Sequence, residues 1–165
     1  MSSLSQDGTR TAVLASIGRF HRYDADLAAG AQPDSEQIEA LRDEGFEVIV
    51  NISPASTRNA LPGEAAVVEK LGMDYVHFPV DCSNLRPIHY QTFRGIMSGL
   101  EGKRVFVHCG GNIKSSNLIH MYNVLERGVP EAESLATLRT IQEPEDKWFA
   151  YYKTMGMQGL RPMNQ

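Results

Sequence analysis

Arg104-Val105-Phe106-Val107-His108-Cys109-Gly110-Gly111-Asn112-Ile113-Lys114-Ser115-Ser116 decides how the rest of this chain is read. Val105 to Val107 is a short apolar run, and behind the polar stretch Leu118, Met121, Tyr122 and Leu125 recur at helical spacing until Gly128. A buried strand therefore delivers a cysteine into a small polar loop, and a helix begins where the loop stops. Backbone N–H groups in such a turn, together with the helix N-terminus, converge on a site that favours an anion. The same field stabilises a thiolate. The sulfur of Cys109 is expected at the mouth of that ring of amides.

Outward from this segment the chain alternates strand-like and helix-like pieces. Asp34 reads as a helix N-cap, with Pro33 before it, Gln37 three residues on and Ile38 and Leu41 as the apolar stripe. Gly45 closes that helix, and Phe46 to Ile52 is almost continuously apolar and β-branched, as a buried strand should be. Residues 63–71 carry Val67, Val68 and Leu71 on a short helix, Tyr75 to Val80 is a further strand, and Tyr90, Phe93, Met97 and Leu100 mark the next helix. Two more helices are expected around Leu135, Leu138 and Ile141, and around Trp148, Tyr151 and Tyr152. The alternation predicts an α/β fold: a central, mostly parallel sheet of about four to five strands with helices on both faces. Ligands in such folds sit beyond the carboxyl ends of the strands, where Asp81 and Cys109 both fall.

The 165 residues suit a single domain over 1–165, with the polar residues 1–12 expected to be flexible. A net charge of −4, from 16 basic against 20 acidic side chains, gives no basic face for nucleic acid or an anionic membrane. No run approaches the length of a membrane span, and the start Met1-Ser2-Ser3-Leu4 lacks the basic and apolar regions of a signal peptide. Two cysteines, Cys82 and Cys109, are too few for a disulfide framework, so a reducing cytoplasm is the expected compartment. No pair among the histidines and cysteines has metal-ligand spacing, and neither a metal nor another cofactor is expected.

Cysteine chemistry on a phosphoryl group needs an ionised nucleophile, donors for the non-bridging oxygens, a cation and an acid for the leaving oxygen. Cys109 is the candidate nucleophile, and the amides of Gly110, Gly111, Asn112, Ile113, Lys114 and Ser115 are the candidate phosphate donors. The two glycines let the loop curl, and Asn112 tolerates a left-handed conformation. Lys114 is the cation of the loop, Ser116 can hydrogen-bond the sulfur, and Asp81 suits the acid. The plainer reading of Asp81 is an Asx-turn before Ser83 and Asn84, and that of Lys114 a solvated lysine. His108 is read as bracing the loop from beneath.

This loop resembles that of the cysteine-dependent protein tyrosine and dual-specificity phosphatases. It is most similar to a bacterial phosphatase-like group, akin to the phosphatase domain found fused to NAD kinase, whose loop tends to read VHC-x-x-N-x-R-x-S. Val107, His108, Cys109, Asn112 and Ser116 are in register, with Lys114 where the arginine belongs. Gly30-Ala31-Gln32-Pro33, Val50-Asn51-Ile52, Phe78-Pro79-Val80-Asp81, Glu143-Pro144 and Trp148 extend the likeness over roughly residues 25–155. It implies a hydrolase that forms a thiophosphoryl intermediate on Cys109, with a phosphorylated protein or a small phosphate ester as substrate. The lysine is a departure: arginine grips two oxygens with a planar fork, whereas lysine is a point charge. One charge-assisted hydrogen bond is worth about 1.5–3 kcal/mol, or about 10- to 150-fold in rate if it is made only in the transition state. A non-catalytic module that binds phosphate or phosphoproteins is therefore the alternative. A rhodanese-like sulfurtransferase, which shares the loop length, is the lesser one.

Overall fold

The computed structural model describes residues 3–161. Its five strands are β1 (His21–Arg22), β2 (Leu27–Gly30), β3 (Val48–Asn51), β4 (Asp74–His77) and β5 (Val105–His108). They lie in the order β1-β2-β5-β3-β4, all parallel except β1. The cysteine-bearing β5 is central: Val105 pairs with Leu27 on one side and Val48 on the other, and all four of its residues are buried. The helices are α1 (Ser3–Ala15), α2 (Ser35–Asp43), α3 (Glu64–Lys70), α4 (Pro87–Gly99), α5 (Ile113–Leu125), α6 (Glu131–Ile141) and α7 (Asp146–Thr154). The architecture is the α/β sheet that the alternation predicts.

Because side chains alternate across a strand, the sheet builds two cores. On one face Leu14, Ile38, Leu41 and Val68 from α1, α2 and α3 close over Ala28, Ile49 and Phe106. On the other, Phe93, Leu118, Leu138 and Trp148 from α4 to α7 cover Ala29, Val50 and Val107. Gly30 is fixed by this packing, since a Cβ there would stand 2.7 Å from Ile17 Cγ2 and 3.1 Å from the Phe106 ring.

The Asp34 capping box is present with both of its bonds, each 2.8 Å. Strand limits shift: β3 drops Phe46, Glu47 and Ile52, and β4 gains Asp74 at its start and ends at His77. The start expected to be flexible is helical in its described part, since Ser3–Ala15 form α1; residues 1 and 2 lie outside the described residues. The polar sequence concealed it because tertiary contacts hold this helix. Leu14 is buried beside α2, and Arg10 bridges Glu44 and Asp7 at 2.9 Å each. No helix among the described residues is long and apolar enough to cross a membrane.

Candidate active site

The loops that follow β2, β3, β4 and β5 all leave the same edge of the sheet, and the turn into antiparallel β1 meets them there. They converge on residues 109–113, whose carbonyls are all engaged: those of Gly110 and Gly111 by these surrounding segments, the others by His108 and by side chains of α5. His108 Nδ1 lies 3.3 Å from Cys109 O. Gly110 O accepts from Asn59 Nδ2 at 2.9 Å and from the Gln32 amide at 3.2 Å. Gly111 O accepts from Arg19 Nη1 at 3.2 Å. The Ser116 hydroxyl donates to Asn112 O at 2.5 Å, and Asn117 Nδ2 donates to Ile113 O at 2.8 Å. The amides of residues 110–115 have no such partners: among the described residues none donates to a protein acceptor. Peptide planes pinned by their carbonyls leave the adjacent N–H groups free of protein acceptors at the start of α5, which is what an anion nest requires.

Asn112, not the glycines, supplies the left-handed step, with φ of 60° and no exposure to solvent. Its Nδ2 donates to Arg19 O at 2.8 Å, and Arg19 is itself left-handed with φ of 47°. Gly110 is required for a different reason than curling. A Cβ there would stand 3.1 Å from Thr57 Cγ2 and 3.2 Å from Asn59 Oδ1, so the β3–α3 segment packs directly on it. Gly111 has only ordinary contacts in its Cβ direction. Replacing Asn112 by glycine keeps the left-handed φ and loses the tether; alanine loses both. We expect Asn112→Ala to lower the urea unfolding free energy by about 2–3 kcal/mol, from αL strain and the lost bond. Asn112→Gly should cost roughly half that. Equal losses would refute the conformational part.

Cys109 is 1% exposed, so the sulfur lies at the floor of the loop and not at its mouth. The central position of β5 and the packing of Cys109 into the core on the α4–α7 face account for this. Lys114 is half-buried and its Nζ donates to Val80 O at 2.8 Å, which ties the loop to the segment carrying Asp81. Asp81 is exposed and accepts the Ser83 hydroxyl at 2.7 Å and the Ser83 amide at 2.9 Å. Those two bonds, with lesser help from the Lys114 and His89 charges, hold its carboxyl below the usual range. The arrangement is the Asx-turn of the plainer reading. Ser116 spends its proton on the Asn112 carbonyl, with Gln142 Nε2 donating to its oxygen at 3.1 Å. It does not hydrogen-bond the sulfur. The Ser115 and Ser53 hydroxyls are buried and without a partner among the described residues.

Arg19, Asn59, Gln142 and Glu64 escape a reading of the sequence. They come from separate turns and helix ends, Arg19 meeting the loop across 92 residues and Asn59 across 51. The left-handed φ of Arg19 is carried by a residue type that does not advertise it. Among the described residues no three His, Cys, Asp or Glu side chains gather as a metal site.

With this sheet order and a cysteine loop opening a helix, the chain has the fold of the cysteine-dependent tyrosine and dual-specificity phosphatases. It is similar to a solved candidate phosphatase of the DUF442 class from Shewanella putrefaciens, at 27% identity and a TM-score of 0.76, over 87% of this chain and 95% of that one. Tk-PTP in its active form follows at 19% identity and 0.71, covering 83% and 95% of the two chains. TpbA of P. aeruginosa, solved in complex with phosphotyrosine, is 15% identical at 0.67, covering 86% and 85%. The last two likenesses are of fold alone. No protein-family model matches the sequence, and neither does any curated protein.

Proposed function

We propose that the chain is a cysteine-dependent phosphatase acting on a phosphate monoester, carried by a phosphorylated protein or a small molecule, in a reducing cytoplasm. The single observation behind this reading is the run of partnerless amides at 110–115, backed by carbonyls that are each engaged, two of them by remote segments. Donors fixed in advance where charge develops cost no reorganisation during reaction. In the proposed sequence the Cys109 thiolate attacks phosphorus. The S–P bond forms as the ester O–P bond breaks, and Asp81 gives its proton to the leaving oxygen. Water then attacks phosphorus with Asp81 taking its proton, the S–P bond breaks, and inorganic phosphate leaves. Lys114 exchanges Val80 O for a phosphoryl oxygen, and Ser116 supports the departing sulfur through the carbonyl it holds in place. Asp81 needs the bound substrate to displace Ser83 and desolvate it, because in its present contacts it favours the ionised form.

Lysine in place of arginine, together with an acid engaged by Ser83, favours the second reading, a phosphate-binding module without turnover. Phosphate release from an aryl phosphate in the presence of EDTA separates the two. We expect metal-independent release that rises about 10-fold or more in Lys114→Arg, as a forked donor replaces a point charge. Absence of release from both proteins, with phosphate still bound, would establish the binding module.

A further inference from the structure

Beneath the loop lies a carboxylate that the phosphoryl chemistry does not use. Glu64, the first residue of α3, is 5% exposed, and carboxylates are rarely so buried unless paired. Its Oε2 stands 2.8 Å from His108 Nε2, and its Oε1 accepts from Gln32 Nε2. His108 is fully buried, with the Phe106 ring stacked beside it at 6.1 Å and its Nδ1 3.3 Å from Cys109 O. Both ring nitrogens thus face oxygens that only accept, one a carboxylate and one a carbonyl. A neutral imidazole has a single N–H and would set an acceptor against an acceptor at one of these contacts; the doubly protonated ring satisfies both. Tyr75 from β4 is the other titratable group on Glu64. Burial alone pushes the Glu64 carboxyl up, but the hydrogen bonds and charge of His108, with Gln32 and Tyr75, more than reverse it.

We propose that Glu64 is a positioning residue for the nucleophile: it holds His108 as an imidazolium under the floor of the loop, so that a fixed positive charge stands one peptide from Cys109 and favours its thiolate. The inference rests on reading residues 109–116 as an anion cradle. The carboxylate lies on the far side of the ring, so the pair turns its positive end to the loop. Without Glu64 a buried imidazolium has no counter-charge and sheds its proton.

Two measurements test this on the intact protein. Nitrogen NMR of His108 in the wild type should show both ring nitrogens protonated at neutral pH; a neutral tautomer there overturns the proposal without any variant. Ultraviolet thiolate absorbance, read against Cys109→Ser, should show the Cys109 midpoint rising by about 1 pH unit in Glu64→Gln, a roughly 10-fold fall in the ionisation constant of the thiol. Glu64→Asp should return part of it. A Glu64→Gln protein that only melts earlier, with its thiolate midpoint unmoved, would make Glu64 a packing residue and refute the inference. The phosphatase reading fails separately: a midpoint that moves in a protein releasing no phosphate keeps Glu64 in this role and removes the reaction.

Discussion

Replacing Cys109 by serine is expected to cut phosphate release by about 10³-fold or more, because a serine hydroxyl is not ionised near neutral pH and the loop offers it no base. Binding should survive. The proposed phosphate donors are main-chain amides of residues 110–115, and the bonds that anchor the loop carbonyls do not involve the sulfur. Inorganic phosphate should therefore bind the variant within a few-fold of the wild type, measured by titration calorimetry. Since the residue is 1% exposed, the new hydroxyl also costs about 1–2 kcal/mol of stability, so melting is measured alongside. Release that persists above a tenth of the wild-type rate would remove Cys109 from the reaction.

The largest effect on stability is expected at Phe106. Its ring is fully buried between Phe20 at 6.1 Å and Phe46 at 6.3 Å, and it stacks on His108. Phe106→Ala should cost about 3–5 kcal/mol in urea unfolding, a large share of the ~5–15 kcal/mol that holds a domain together. Phe106→Leu should cost well under half of that. The loss should also reach the site, because the ring is the flat wall beside the imidazole under Cys109. A change below about 1 kcal/mol for the alanine variant would mean that the α1–α3 face repacks freely, which the close approach of Phe106 to Gly30 argues against.

What the sequence discloses here follows from how local each signal is. The Asp34 capping box uses residues three apart, and the β5–loop–α5 unit is one continuous segment, so both are legible. α1 is not, because its apolar side amounts to little more than Val13 and Leu14, and its Arg10–Glu44 bridge spans 34 residues. β1 and β2 are too short, and in Leu27–Gly30 too poor in large side chains, to declare themselves. At the site, the candidate donor amides of residues 110–115 are legible because they are neighbours in the chain. The residues that hold the loop carbonyls are not. Asn59 and Arg19 reach it only through folding, and Glu64 reads as an ordinary first-turn acid until β5 turns His108 toward it. The left-handed conformation that Asn112 tolerates is the one it adopts, whereas packing, not the torsion of a curl, explains Gly110.

The braces on the loop carbonyls span 51 residues from Asn59 and 92 from Arg19, while Asn112 reaches 93 back to Arg19. A grip assembled from such remote pieces closes late, once the sheet and both helical layers are docked. On the proposed reading, phosphate affinity is a gauge of complete folding: partly unfolded chains that keep their secondary structure should lack it. Added phosphate should slow unfolding far more than it hastens refolding.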